Sequence, residues 1–208
     1  MKKVFPHSAA VILSTLLVAS PALANESPGG LKFALTGGLT LGGDDLFKVQ
    51  FADGDSDKIK AGEILQVGAG ALYQSPTMPL AAQITISYHF DTIFADNGDA
   101  GFDRYPLEGI LYYTGVQDWR FGAGARLALS PEADVSAAGD EVTVEFKNGT
   151  GFIVEVGYQV ANNFWMNLRA VQEEYEVKRF NVNGMDLALS DDRDVSGNHV
   201  GLNFLWAF

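Results

Sequence analysis

Hydrophobic residues alternate with small or polar residues along several segments of this chain. The segment 119–129 shows the pattern most fully, with Trp, Phe, Ala or Leu at every odd position and Arg, Gly or Ala at every even position. A period of two places the apolar side chains on one face of a β-strand and the other side chains on the opposite face. Helical spacing does not fit this segment, so the pattern predicts an all-β protein.

Eight such segments can be laid out along the chain. They span 31–42, 59–74, 79–91, 104–115, 119–129, 150–160, 164–175 and 196–208. Three connections between them are short: 75–78, 116–118 and 161–163. Four are long and rich in Asp, Gly, Asn and Ser: 43–58, 92–103, 130–149 and 176–195. This arrangement predicts a transmembrane antiparallel up-and-down β-barrel of eight strands, with short periplasmic turns and long extracellular loops.

Aromatic residues cluster beside the short turns and share the parity of the apolar face. This first group contains Tyr73, Tyr113, Trp119, Tyr158, Phe164, Trp206 and Phe208. A second, less complete group at the opposite end contains Phe90, Tyr105 and Phe152. Aromatic rings favour the interfaces of a membrane, so the two groups are expected to form the girdles of the barrel.

The last segment carries a family resemblance. Residues 197–208 read GNHVGLNFLWAF, with apolar residues at every second position back from Phe208. This resembles the terminal strand of bacterial outer-membrane barrels, which the barrel assembly machinery reads during insertion. With the strand count, turn asymmetry and girdles, the chain resembles the small class that includes the membrane domain of outer-membrane protein A and proteins X and W. The resemblance implies a Gram-negative outer-membrane location among lipids and lipopolysaccharide.

The first 24 residues have the features of a secretory signal peptide. Lys2 and Lys3 precede an apolar stretch at 9–19, and Ala22-Leu23-Ala24 provides a small-x-small cleavage site. Eleven apolar residues followed by Pro21 are too few for a membrane anchor. We therefore expect a signal peptide at 1–24 and an outer-membrane barrel domain at 25–208.

The inward face of the predicted barrel is largely polar. It contains Gln66, Gln83, Thr85, Ser87, His89, Glu108, Tyr112, Arg120, Arg126, Glu155, Gln159, Trp165, Asn167, Arg169, Glu173, His199 and Asn203, with Gly68, Gly70, Gly122, Gly124, Gly157 and Gly201 between them. Eight strands enclose an interior that side chains alone can fill.

The turn lengths predict how the interior charges pair. A three-residue second turn places Glu108 opposite Arg126, and Tyr112 opposite Gly122. A three-residue third turn places Glu155 opposite Arg169. Since unpaired buried charge is costly, this register predicts a packed Glu/Arg interior. An ion path lined by the same charges is the alternative.

One stretch begins like a calcium loop, with Asp-Gly-Asp-Ser-Asp at 53–57. An EF-hand needs Gly at its sixth position and Glu at its twelfth, where this chain has Lys58 and Ile64. A solvated hairpin tip is therefore the preferred interpretation. We expect no metal site here.

Two histidines are the remaining candidates for chemistry. His89 and His199 point inward, with Ser87 and Asp91 near His89 in sequence. Some small barrels of this class modify lipid A, but the His-x-Ser pattern of the deacylases is absent because Gly201 lies two residues after His199. Interior histidines with satisfied hydrogen bonds are the simpler interpretation. We expect no catalytic residue and no cofactor.

Composition adds a strong acidic bias. The 208 residues include 26 acidic and 14 basic residues, three His and no Cys, for a net charge of −12. A chain this acidic lacks the cluster of positive charge that binding to nucleic acid requires. The stretches 43–58, 91–104, 130–149 and 176–194 hold 19 of the acidic and only 7 of the basic residues. They could attract divalent cations shared with lipopolysaccharide phosphates, or a basic partner, or simply keep the loops solvated.

Three functions remain open at this point. The preferred one is a non-enzymatic structural or surface-interaction barrel. The second is a conduit for small or hydrophobic molecules, and the third is a lipid A-modifying enzyme.

Overall fold

The structure is a computed structural model that describes residues 29–50, 56–62, 64–95, 98–137, 139–187 and 194–208. The expected signal peptide at 1–24 and most of the calcium-like stretch lie outside these ranges. Within them, no helix is both long enough and apolar enough to cross a membrane.

Eight antiparallel strands form a closed ring. They are β1 (Gly30–Gly42), β4 (Ile64–Gln74), β5 (Leu80–Ala95), β6 (Gly98–Val116), β7 (Trp119–Ala137), β9 (Gly149–Ala161), β10 (Phe164–Val182) and β13 (His199–Ala207). Each strand pairs with the next around the ring, and β13 pairs back to β1. The predicted eight-stranded up-and-down barrel is confirmed.

Five shorter strands lie at the end of the barrel opposite the short turns. They are β2 (Asp45–Gln50), β3 (Ser56–Lys60), β8 (Asp140–Phe146), β11 (Met185–Leu187) and β12 (Asp194–Ser196). β2 and β3 form a separate hairpin, whereas the other three pair with the outer parts of the ring strands.

The long connections were predicted as loops, and this was wrong for most of their described length. β7 continues outward to Ala137, and β8 returns along it with Asp140 opposite Ala137. The register of this pair continues into β9, where Gly149 lies opposite Ala128. The connection at 92–103 is likewise a continuation of β5 and β6. Backbone pairing satisfies the peptide groups here, so the barrel wall extends beyond the membrane.

The start of the second predicted strand was also wrong. Residues 59 and 60 belong to β3 of the outer hairpin, and β4 begins only at Ile64, which has a left-handed φ of 79°. A β-branched residue rarely adopts this conformation, so the chain changes direction here at a cost. The break separates the barrel wall from the β2–β3 hairpin.

The second and third short turns, predicted at 116–118 and 161–163, each have a left-handed third residue, although strand pairing already includes Val116 and Ala161. Asp118 has φ 61° and Asn163 has φ 59°. A short Asp or Asn side chain tolerates this conformation, and a left-handed third residue produces a bulge in the hairpin. Register shifts do occur beside both turns, between Tyr113 and Val116 and between Phe164 and Trp165. Beyond them the pairing follows the predicted registers.

Glycine allows close approach of neighbouring strands at the centre of the wall. A Cβ on Gly124 would lie 2.1 Å from the carbonyl oxygen of Gly109, and one on Gly70 would lie 2.0 Å from that of Ile84. Neither position has room for a side chain in this geometry.

An exposed apolar belt surrounds the ring. Leu111 is 70% exposed and Leu168 is 66% exposed, although both lie within long strands. Tyr73, Tyr113 and Trp119 border the belt at the turn end. At the other end, Tyr88 joins the predicted girdle by packing 5.0 Å from Phe90 and 5.2 Å from Tyr105 between ring centroids. A belt of this kind faces lipid in outer-membrane barrels.

Candidate functional site: the barrel interior and its outer wall

The interior is filled in layers, and the first lies at the turn end. Arg120 of β7 lies over two aromatic rings, with its guanidinium carbon 4.4 Å from the ring centre of Tyr112 and 4.9 Å from that of Trp165. Its Nε donates a hydrogen bond of 3.0 Å to Asn167 Oδ1. Apolar residues complete the layer. They include Ala34, Leu72, Ala81, Ile110 and Leu205.

A network of ion pairs occupies the middle of the barrel. Glu108 accepts a hydrogen bond of 2.9 Å from Arg126 Nη1 and another of 3.0 Å from Arg169 Nη2. Gln66 donates to the same carboxylate at 3.3 Å and accepts from Arg126 at 3.3 Å. All four side chains are almost completely buried. Charge-assisted bonds of this kind fix the side chains in place.

Glu155 extends the network toward the turn end. It accepts two hydrogen bonds from Arg169, of 2.8 Å from Nε and 2.5 Å from Nη2, and one of 2.7 Å from the Tyr112 hydroxyl. The predicted cross-strand pairs Glu108–Arg126, Glu155–Arg169 and Tyr112–Gly122 are all confirmed. The Tyr112 ring lies over Gly122, where a Cβ would be 2.5 Å from it.

The network also continues toward the outer end. Glu173 forms an ion pair of 2.8 Å with Arg126 Nε, and Arg104 Nε lies 3.9 Å from its other oxygen. Arg104 also lies 4.7 Å over the ring centre of Phe102. Arg104 was not among the interior residues predicted from the sequence. It lies at the start of a predicted strand, where the pattern did not assign its side chain to the inner or the outer face.

The two candidate histidines are brought together inside the barrel, with ring centres 5.3 Å apart. His89 accepts a hydrogen bond of 3.1 Å from Arg126 at Nδ1 and lies 2.9 Å from Thr40 Oγ1 at Nε2, while His199 Nδ1 donates to Gly197 O at 2.7 Å. This pattern fits two neutral rings with partners. Ser87 is buried, but no Ser–His hydrogen bond occurs in the described residues, so no nucleophile–base pair is assembled.

A third, apolar layer closes the outer end. It is built from the extended parts of the ring strands and from the β2–β3 hairpin, whose Ile59 is completely buried. Phe102, Phe146 and Tyr175 pack edge to face or tilted within it, at 5.7 to 6.1 Å between ring centres. These rings point inward because the ring strands continue at this end of the barrel. The sequence pattern did not predict that continuation.

The outer wall carries a cavity of about 420 Å³ beside this layer. Pairing of β7 with β8 and β9 is interrupted for 129–131 opposite 146–148. Ser130, with φ 47°, forms the gap, and its backbone NH donates to Asn148 Oδ1 at 3.0 Å. The cavity is lined by Ser130, Pro131, Glu132, Glu145, Phe146, Asn148 and Lys178.

Acidic side chains are concentrated on this part of the wall. Glu132 and Glu145 lie directly opposite each other on β7 and β8. Burial, and secondarily the negative charge of Asp134, raises the pKa of both Glu132 and Asp103 above the ordinary carboxyl value. Lys178 and Arg179 offset Glu145 through ion pairs of 3.0 and 3.2 Å. In the described part of the chain, no group of three or more acidic or histidine side chains is arranged to hold a metal ion.

Comparison with known proteins places the fold. No family model matches the chain, and no curated protein does. Among solved structures, the attachment invasion locus protein Ail of Yersinia pestis, in complex with the heparin analogue sucrose octasulfate, matches with TM-score 0.50 and 11% identity over 86% of this chain and 99% of that one. Neisserial surface protein A matches with TM-score 0.47 and 17% identity, covering 86% and 97%. A major outer membrane protein of Thermus thermophilus matches with TM-score 0.45 and 11% identity, covering 86% and 99%.

The match to Ail and the geometry of this chain indicate the same fold, that of the eight-stranded outer-membrane β-barrels. The closed ring and the exposed apolar belt together make this chain an outer-membrane barrel protein.

Proposed function

We propose that this protein is a non-enzymatic barrel with a structural core and an acidic outer wall that contacts partners outside the membrane. The observation that carries the proposal is the Glu108–Arg126–Arg169 network, enclosed between two apolar layers. An interior built in this way holds its shape through its own contacts, which leaves the outer wall as the surface for recognition.

A conduit for small or hydrophobic molecules is the main alternative. Such a path would have to cross the three layers, and the central one contains fully buried Arg126 and Glu108 held by several short bonds. Breaking one buried pair costs about 3–5 kcal/mol. The arrangement of the core therefore supports a filled interior rather than a conduit.

A lipid A-modifying enzyme receives less support. His89 and His199 have partners of their own and lie below the outer apolar layer, whereas a lipid substrate would approach from the membrane face. A catalytic histidine needs access to the substrate and to the proton it transfers.

The outer wall supports interaction with a cationic group. Glu132 and Glu145 line the same cavity. Lys178 and Arg179 both pair with Glu145, and in the described residues no ion pair reaches Glu132. A basic side chain placed there would relieve the repulsion between two carboxylates that lie directly opposite each other. We favour a basic partner over divalent cations, because only the net charge of the loops supports the binding of such cations. Contact with lipids and lipopolysaccharide would accompany membrane insertion.

Delivery to the membrane belongs to the same proposal. Residues 1–24 would act as the cleaved signal, and 25–208 would form the barrel. The barrel assembly machinery would read the last strand, in which Phe208 pairs with Phe33 through two backbone hydrogen bonds of 2.9 Å.

Binding of short peptides to the protein in nanodiscs tests the surface role. We expect a lysine-rich peptide to bind and a glutamate-rich peptide of equal length not to bind, with affinity falling as salt is added. The double variant Glu132→Gln/Glu145→Gln should weaken binding. A matched variant, Asp99→Asn/Glu141→Gln, removes the same charge from exposed positions elsewhere on the outer extension. Equal losses in the two variants, or no binding by the wild type, would contradict a specific surface.

A further inference from the structure

A second cavity lies at the turn end of the barrel, far from the outer wall. Its volume is about 110 Å³, and the turn residues Gln117 and Asp118 form part of its boundary. Arg120 and Trp165 line it from the interior side, together with the polar residues Gln74, Thr114 and Gln159. Apolar side chains, including Leu72 and Ala81, form about half of its lining. The cavity is therefore small, of mixed polarity, and bordered by a buried guanidinium.

Arg120 differs from the other buried arginines in its charge partners. Arg126 and Arg169 form ion pairs of 3.0 Å or less with carboxylates, and Arg104 lies 3.9 Å from one. No carboxylate lies within 4.0 Å of the Arg120 nitrogens in the described part of the chain, although Asp118 is among the lining residues. A buried cation without a counterion is strongly destabilising.

The hydrogen-bonding groups of the Arg120 guanidinium are only partly used within the protein. The guanidinium carbon lies over the rings of Tyr112 and Trp165, and Asn167 accepts the hydrogen bond from Nε. Nη2 is buried and has no hydrogen-bond partner. A guanidinium that lies over aromatic rings binds through its in-plane N–H groups, and these match the paired oxygens of an oxyanion. A buried polar atom without a partner points to a group that completes the site.

We propose that this cavity binds a small free oxyanion from the periplasmic side, which serves as the counterion of Arg120. The amide groups of Gln74 and Gln159 and the hydroxyl of Thr114 line the same cavity and can donate to such a ligand. The volume accommodates an ion of the size of phosphate or acetate. The site is independent of the outer surface role.

Calorimetric titration of the protein in phosphatidylcholine nanodiscs tests the site. Inorganic phosphate and acetate are the probes, and chloride at equal ionic strength is the comparison. We expect saturable binding of the oxyanions, accompanied by a change in tryptophan fluorescence because Trp165 is stacked on Arg120. Arg120→Gln should weaken binding about tenfold or more. Lys32→Gln is the matched control, since it removes a positive charge at the same end of the barrel, where Lys32 binds Asn163.

A second variant keeps the test valid if Arg120→Gln does not fold. Gln159→Glu places a carboxylate of nearly the same shape in the cavity, where it would replace the bound oxyanion. We expect this variant to fold and to lose oxyanion binding. Unchanged binding by Gln159→Glu, equal loss by Lys32→Gln, or binding that requires anionic lipid would overturn the proposal.

Discussion

At the residue scale, Arg169 joins the two halves of the interior network. It binds Glu155 on the neighbouring strand and reaches across the barrel to Glu108. Both of its carboxylate partners are almost completely buried, so its removal would leave their charges under-compensated. The network should therefore depend more on this side chain than on any exposed ion pair of the outer wall.

Replacing Arg169 with Met tests this dependence. We expect the free energy of unfolding to fall by about 3–5 kcal/mol, the usual effect of breaking a buried pair. Urea-induced unfolding in lipid vesicles measures it. Arg179→Met is the control, because Arg179 is half exposed and pairs with Glu145 at the surface. Similar losses in the two variants would contradict a central role for Arg169.

The contact between Tyr112 and Gly122 provides a second test at this scale. A Cβ on Gly122 would lie 2.5 Å from the ring of Tyr112, whereas one on Gly109 meets no atom within 4 Å. Gly122→Ala should cost about 1–3 kcal/mol through overpacking. Gly109→Ala should cost much less, and thermal unfolding of the two variants compares them. Equal stability would show that the interior is loosely packed.

Glu132 should make the outer extension sensitive to pH. Burial and Asp134 raise its pKa above the unfolded value, so ionisation disfavours the folded state. The loss of stability caused by the ionised Glu132 is absent at pH values below the ordinary carboxyl pKa. It is complete at pH values above the raised pKa of the folded state. Glu132→Gln should therefore stabilise the β7–β8 hairpin at neutral pH and leave it unchanged in strong acid. Protease cleavage of the hairpin measures this, with Glu141→Gln as the control. A stabilisation that persists in acid would contradict the assigned cause.

At the element scale, the strands do not end at the membrane surface. β8 pairs with β7 on one side and with β10 on the other, so its peptide groups are held within a sheet. The β10–β11 hairpin turns through Asn183 and Gly184, which both have positive φ, as a tight type I′ turn requires. The outer part is thus a continuation of the barrel wall.

Hydrogen exchange distinguishes this wall from loops. We expect slow exchange for backbone amides of 140–146 and 177–182, because they form ladder hydrogen bonds. The unpaired residues around Ser130 and Asn148 should exchange faster. Rapid exchange throughout 130–149 would restore the interpretation as loops.

The sequence was informative where a period of two coincided with a short turn. Facing parity and turn length together predicted the Glu108–Arg126 and Glu155–Arg169 pairs, because the bulges beside the turns preserve the register. The outer extensions lack a lipid-facing belt, so their alternation is weaker and their turn residues read as loops. The contact of Arg169 with Glu108 crosses the barrel, and no pairwise register predicts a contact of that kind.

At the scale of the whole molecule, each part of the chain has a distinct environment. Apolar side chains face lipid, Glu and Arg side chains pair inside, and acidic side chains lie on a wall beyond the membrane. Within the described residues, the acidic excess therefore lies mainly at the outer end and not in the membrane core. This separation allows one chain to be both a lipid-embedded barrel and an acidic surface.

Planar-bilayer conductance tests the central claim that the interior is a plug. We predict that the wild-type protein shows no steady conductance, because the Glu/Arg layer and the two apolar layers fill its interior. Insertion must be verified in parallel by protection of the barrel from protease. A steady ohmic conductance from inserted wild-type protein, reduced by replacing Gly122 with Leu, would contradict this account and favour a conduit.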